Sequence, residues 1–369
     1  MSLPSTEKPA SIVLKPPFTH DAGQCWRVAI DPTLFSLTDD VGFTSRSTLT
    51  LREDDQLLGP AHASHGDIRL HGGGRYSHWR HTLYFSARDG SDPNVNGRTY
   101  EVRESAEEHY RERAQYAMQI VAFYARYLTD GMKGFRDLQV LEVGPGMFLG
   151  SVLAMACLGA RVTVVDPFLP DWKPDIHSMM AASLEVEMRK AGWDFDPSPL
   201  HRSVAAGQLD RERVRTFRQS LESIAVELDG QIDLTVSHAT FEHLFDVKSA
   251  MAAMVRTMKP NGKGIHRVDY RDHDSFDRPL EFLLMSQQAY DQSCGDNKYG
   301  RGNRMRAETM RNILINTGLR HVQFTPETLI EEGYLNDFLA RLRSRPDSTF
   351  HSAPVDHLRV LGGTFIVQK

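Results

Sequence analysis

Residues 138–150 read LQVLEVGPGMFLG, an apolar run that ends at Val143 and breaks into the turn Gly144-Pro145-Gly146. Glycine admits backbone dihedrals closed to other residues and lets a ligand come close to the main chain. A helix starting near Met147 would add its unpaired N–H groups at the same place. Asp166, followed by Pro167, closes the next apolar run. It lies about 20 residues past the turn, the spacing at which a carboxylate accepts both hydroxyls of a ribose. Together these signals predict a cofactor containing adenosine. Glu142 narrows the choice. A carboxylate just before the glycines repels the pyrophosphate of a dinucleotide, whereas the ammonium and sulfonium of S-adenosylmethionine are drawn to it. An NAD(P)-dependent oxidoreductase is therefore the weaker alternative.

The E-x-G-x-G arrangement with an acid at the end of the following strand resembles the first two motifs of class I S-adenosylmethionine-dependent methyltransferases. The resemblance runs from Leu138 to the C-terminus. SHATFEHLFDV (237–247) resembles the fourth motif of that family, and MVRTMKPNGKGIHRV resembles the turn before its fifth strand. The resemblance implies that Glu142, Gly144, Pro145, Gly146, Asp166 and Pro167 hold the cofactor, with Ser237, His238 and Ala239 beside its methionine portion. The family often carries an acid that meets the adenine amine. The stretch searched for it, HRSVAAGQL (201–209), has none.

The acceptor side should lie outside the carboxyl ends of the strands. Glu242 and His243 follow the fourth strand; His266, Asp269, Asp272 and His273 lie on or after the fifth. An alcohol is a poor nucleophile at neutral pH and gains from a nearby base, for which histidine is best suited. His273, oriented by Asp272 or Asp269, is the first choice and His243 the second. The H-x-x-D-x-R-D-H run (266–273), with PLEFL and NRMR after it, is similar to methyltransferases found with bacterial surface-polysaccharide genes. That similarity implies O-methylation of a sugar or glycan hydroxyl. Residues 271–306 read as an insertion over the cofactor mouth, whose Phe276, Phe282 and Tyr290 would stack on a sugar ring. A divalent metal is the alternative not favoured. Some ubiquinone-biosynthesis O-methyltransferases are similar around the Glu-His and use it for a divalent ion, but Ala239 stands where they carry another acid. Glu242, His243, Asp269 and His273 are the conceivable ligands.

These side chains need a scaffold. From residue 138 onward, strand-like runs (LQVLEVG, RVTVVD, IDLTVSH, GIHRVDY) alternate with helical patterns at FLGSVLAMACLG (148–159), 175–191 and 247–258. That rhythm predicts an α/β, Rossmann-like, doubly wound and mostly parallel sheet. LRVLGGTFIVQK is expected as its final edge strand. RERVRTFR (211–218) reads as a solvated helix face. A helix over 105–129, opened by a Ser105–Glu108 capping box, precedes the sheet. The chain thus divides into a tail (1–23), a small β-rich domain (24–103) and a methyltransferase-like domain (104–369). In the β-rich part QCWRVAI, STLTLRE, GDIRLHG, RYSHW and HTLYFSA read as short strands. Its histidines, His62, His65, His71, His78 and His81, read as polar surface. Arg69, Arg75, Tyr76 and Trp79 read as an interaction anchor, for a glycan or a homodimer; a glycan-binding protein with a degenerate cofactor fold is the non-enzyme alternative.

Composition bounds the partners. Of 369 residues, 43 are Lys or Arg and 48 Asp or Glu, a net charge of −5 that offers no basic field for nucleic acid. The apolar run 152–160 falls short of the roughly 20 residues of a membrane span. Three dispersed cysteines and no visible signal peptide predict a soluble, cytoplasmic protein with reduced thiols.

Overall fold

The computed structural model describes residues 11–40, 45–294 and 301–369. The first ten residues of the expected tail, and residues 295–300 of the expected insertion, lie outside the described residues. Two compact units are present: residues up to 109 together with 274–277, and residues 110–273 with 278–369.

The first unit holds β1 (Ser11–Val13), β2 (Thr19–Ala22), β3 (Cys25–Ala29), β4 (Leu49–Glu53), β5 (Gln56–Leu57), β6 (Tyr76–Trp79), β7 (Thr82–Phe85) and β8 (Tyr100–Glu104). They form two antiparallel sheets, in the orders β1-β8-β4-β5 and β2-β3-β7-β6. Both sheets contribute to one core, in which Phe18, Phe85 and Tyr100 meet edge to face or tilted at 5.2–5.7 Å between ring centroids. GDIRLHG is not a strand. His65–His71 is a helix capped by Ser64, whose hydroxyl accepts the Asp67 N–H at 3.1 Å. The cap supplies an orphan N–H with its acceptor, and this local bond outweighs a short apolar alternation. The expected anchor also disperses. Tyr76 is buried in the core, Arg69 bonds Asp21 and Arg75 donates to the Gly72 carbonyl. The histidines likewise go to separate partners: His62 to Asp39, His65 onto Tyr84, His71 to Asp277 and His81 beside Phe35. His78 is fully buried, and burial pushes its imidazole down to about 3.

The helix Ala106–Ala125, most of which belongs to the second unit, buries Tyr110, Ala114, Ala117, Val121 and Tyr124 along one face. Ser105 and Glu108 meet side chain to side chain at 3.5 Å. Seven strands follow: β9 (Gln139–Val143), β10 (Arg161–Val165), β11 (Val214–Phe217), β12 (Ile232–His238), β13 (Met258–Asp269), β14 (His321–Leu329) and β15 (Val360–Gln368). Their order is β11-β10-β9-β12-β13-β15-β14. The first five run parallel, and β15 pairs antiparallel with both β13 and β14. Helices 150–157, 179–190 and 247–257 connect them as expected. This is an α/β, doubly wound, mostly parallel sheet. Its buried strands are nearly continuous apolar runs because helices cover both faces.

Two sequence expectations fail here. VRTF within 211–218 is strand β11, not a solvated helix face. Its exposed Arg215 and Thr216, between buried Val214 and half-buried Phe217, belong to an edge strand, where much of the surface is polar. The C-terminal run is an interior strand, and the edge is β14, whose residues are mostly exposed and include Pro326. A proline there forfeits no central ladder bond.

The helix 247–257 begins on a cap worth testing. Asp246 accepts the Ser249 N–H at 3.0 Å and the Ser249 hydroxyl at 2.6 Å. Asp246→Ala should cost about 1 kcal/mol of stability. Urea unfolding would read it as a lower midpoint at unchanged slope.

Candidate active site

The parallel strands present their carboxyl ends on one side of the sheet, and two cavities lie there. The first, about 320 Å³, is walled by Val143, Gly144 and Gly146 after β9, by Asp166–Phe168 after β10, by Ser220–Glu222 after β11, and by Ala239, Thr240 and His243–Phe245 after β12. Both glycines have φ of +71°. At Gly144 an added Cβ would lie 2.6 Å from the Thr240 side chain. At Gly146 it would meet no protein atom within 4 Å, so that backbone fronts open space. The helix begins at Gly150, three residues later than expected, because Leu149 adopts a left-handed conformation at φ +57°.

The turn is held from behind. Thr240 donates its hydroxyl to the Val143 carbonyl at 3.1 Å. His177 accepts the Lys173 N–H at Nδ1 (2.7 Å) and therefore carries its proton on Nε2, which donates to the Met147 carbonyl at 2.9 Å. Burial lowers the His177 pKa and keeps the ring neutral, as this tautomer requires. Sequence reading missed His177; its only signal was a histidine on the next connection, and nothing in the spacing tied it to the loop.

Glu142 does not wall the cavity. Its side chain is buried, Oε1 accepts the Ser151 hydroxyl at 2.6 Å, and Oε2 has no hydrogen-bond partner among the described residues. Desolvation pushes its carboxyl up to about 7. Asp166 does line the cavity; burial raises its pKa, against the Phe168 N–H that Oδ1 accepts at 2.7 Å. Pro167 lines the cavity and Pro145 does not. The segment Ser220-Leu221-Glu222 was missed because β11 was read as helix. Glu222 thus supplies an acid after β11, whereas HRSVAAGQL lies before that strand, largely in the helix Ser198–Ala206.

The expected Ser237-His238-Ala239 group divides. Ser237 is fully buried and bonds the His266 Nδ1 at 2.9 Å, so it faces the sheet interior and not the cavity. His266 is no cleft residue either. It is buried, bonded to Thr235 at 3.1 Å, stacked on Phe241 at 4.5 Å, and burial holds its pKa down near 3. Ala239 walls the cofactor-side cavity and also a second, polar one.

That second cavity, about 260 Å³, is lined by Tyr116, His238, Arg267, Asp269, Arg271 and Glu327 among others. Arg267 pairs with Glu327 at 2.8 Å and approaches the His238 Nε2 at 3.4 Å; Tyr116 lies 3.5 Å from the Nδ1. Burial, and then the Arg267 charge, lower the His238 pKa to about 4, so the ring is neutral at pH 7. Burial pushes the Asp269 carboxyl up, but the two-pronged bond from Arg271 outweighs it and the net pKa is lowered.

Beside this cavity the His243 and His273 rings stand 4.7 Å apart. Asp269 Oδ2 is 3.9 Å from His273 Nε2, beyond hydrogen-bond length. Asp272 does not orient His273. It is fully buried and clamped by Arg301, Nε to Oδ1 at 3.0 Å and an Nη to Oδ2 at 2.9 Å. Glu242, 4% exposed, is pushed up to about 8 by burial. The insertion's aromatics differ from expectation too: Phe282 and Tyr290 are core residues, packed with Leu335, Phe338 and Leu358. Apolar area is worth more in that cluster than on a sugar face.

The comparisons bear on the same unit. The family profile for the methyltransferase domain matches residues 178–265, a span that begins after the glycine turn. No curated protein matches the chain. Among solved structures the chain is similar to an S-adenosylmethionine-dependent methyltransferase from Archaeoglobus fulgidus, at 12% identity and a TM-score of 0.36, covering 72% of this chain and 95% of that one. It is also similar to phosphoethanolamine N-methyltransferase 2 of Haemonchus contortus in complex with phosphomonomethylethanolamine and S-adenosylhomocysteine, at 14% identity and a TM-score of 0.34, covering 83% and 66%. Among the described residues no helix is long and apolar enough to cross a membrane. The residues present fit the cofactor: an open glycine backbone at Gly146, a strand-end acid, and a buried carboxylate oxygen at Glu142 that has no partner of its own. The second unit has the class I methyltransferase fold, with S-adenosylmethionine as its cofactor.

Proposed function

We propose that this protein is an O-methyltransferase for a sugar or glycan hydroxyl. The observation that carries the reading is the polar cavity beside the cofactor wall. Its volume is below the roughly 300 Å³ at which drug-sized pockets begin. Its lining alternates carboxylate and guanidinium: Asp269 with Arg271, Glu327 with Arg267. Such a lining offers donors and acceptors to several hydroxyls at once. It provides no extended apolar wall for a lipid and no slot for a flat aromatic.

S-adenosylmethionine supplies an electrophilic methyl when bound. The chain's own residues align the nucleophile with it and exclude competing water, and alignment alone is worth several kcal/mol of barrier. In this reading Asp166 accepts from the ribose hydroxyls and Ser220–Glu222 stand at the adenine. Asp269, Arg271 and His238 orient the acceptor, and His243 and His273 are the groups beside its hydroxyl. Transfer of radiolabelled methyl from S-adenosylmethionine should enter nucleotide sugars or oligosaccharides as an alkali-stable ether. Label entering only amine acceptors, phosphoethanolamine included, would sink the hydroxyl reading. His273→Ala should slow turnover while S-adenosylhomocysteine affinity stays at the wild-type level.

A further inference from the structure

Glu242 has a feature that base catalysis leaves unused. Its Oε1 accepts the Asp269 N–H at 3.1 Å, while Oε2 is buried with no hydrogen-bond partner among the described residues. An unpaired buried carboxylate oxygen is costly, and a cation removes the cost. Two imidazoles stand at the same place. One ligand atom from each of Glu242, His243 and His273 lies within 4.8 Å of the other two. Ligands about 2.1 Å from one ion in tetrahedral array lie roughly 3.4 Å apart, so modest side-chain rotation closes the set. The turn carrying the first two residues is already pinned. The Asn303 N–H donates to the Glu242 carbonyl at 2.6 Å, and its side-chain amide donates to the carbonyls of Phe241 and Leu244. The Asp269 carboxylate stands 3.9 Å from His273 Nε2, beyond hydrogen-bond length.

We propose that Glu242, His243 and His273 form a mononuclear site for a divalent transition-metal ion at the wall of the cofactor cavity. Three protein ligands leave coordination positions open, the pattern of catalytic and not of structural sites. Two imidazoles with one carboxylate suit Mn²⁺, Fe²⁺, Co²⁺ or Zn²⁺ better than Mg²⁺ or Ca²⁺, which prefer all-oxygen sets. His243 walls the cofactor cavity and Asp269 walls the polar one. The open positions therefore suit an oxygen of the acceptor, whose proton the ion makes easier to lose. This role rests on the methyltransferase reading above; the site itself does not.

The test uses the full chain, stripped with chelator and dialysed against Co²⁺, with Mg²⁺ as competitor. One Co²⁺ per chain is expected, with a visible absorption band that excess Mg²⁺ does not abolish. Glu242→Gln and His273→Ala should each weaken Co²⁺ binding by about 100-fold, since even outer-sphere changes cost about 10–100-fold. S-adenosylhomocysteine affinity, measured on the same samples, reports that each variant is folded. Cobalt that binds equally well in both folded variants, or fails to bind the wild type, overturns the site. Failure of the wild type to bind S-adenosylhomocysteine would instead overturn the methyltransferase reading and leave the metal result standing.

Discussion

Asp166→Ala should lower the affinity for S-adenosylhomocysteine by about 100-fold and leave the fold intact. The Phe168 N–H engages Oδ1 of Asp166 at 2.7 Å. The rest of the carboxylate's accepting capacity is available in a cavity where burial has already raised its pKa. Partial desolvation makes the group expensive to leave idle and strong once engaged. Hydrogen bonds to a charged group contribute about 1.5–3 kcal/mol each. Losing the contacts to two ribose hydroxyls should then cost about 3 kcal/mol, which is roughly 100-fold in affinity. Titration calorimetry measures it. Affinity within threefold of wild type, in a variant with an unchanged melting temperature, would remove Asp166 from the cofactor site.

The second expectation concerns Glu142. Its carboxyl is buried and pushed from the ordinary 4.5 up to about 7 by desolvation, with the Ser151 hydrogen bond acting the other way. The folded protein therefore holds this proton more tightly than the unfolded chain does. For such a group, stability is fully present below the unfolded value near 4.5, is lost as pH rises, and reaches its minimum above about 7. The shift corresponds to a penalty on the order of 3 kcal/mol at pH 8. Glu142→Gln keeps the shape, cannot ionise and retains an acceptor for Ser151. Its melting temperature relative to wild type should rise between pH 5 and pH 8. A difference that is flat across that window would show that Glu142 ionises freely in the fold. The same variant should bind S-adenosylhomocysteine more weakly at pH 8. There the ionised wild-type carboxyl, buried behind the cavity wall, attracts the ligand's ammonium through the protein, and glutamine offers no charge.

The strand-helix alternation from residue 138 was legible because a buried parallel sheet demands long apolar runs, and LQVLEV, RVTVV and DLTVS supply them. Gly144, Gly146 and Asp166 were legible for a similar reason: their positions follow from local backbone geometry. The errors cluster where a residue's role depends on partners remote in sequence. Strand β11 carries exposed Arg215 and is flanked by Arg213 and Arg218, so the local charge masked its pairing with β10. Asp272 and His266 sit in a motif rich in titratable groups. One is claimed by Arg301, 29 residues on, and the other by Thr235 and Ser237 on the neighbouring strand. Glu327 and Gly362–Gly363, which wall the polar cavity, come from β14 and β15, and no local signal marks them as site residues. The helix at His65–His71 was hidden by an apolar spacing that suits either periodicity over so few residues.

Ala239 is the residue common to both cavities, and it holds φ +51°. A backbone in that region tolerates a β-branched side chain poorly. In the proposed reaction, donor and acceptor are thus separated at this point by a side chain of a single carbon. That carbon acts as a spacer gauge: a longer residue would widen the gap the methyl group crosses, and the local backbone itself resists the bulkier replacements.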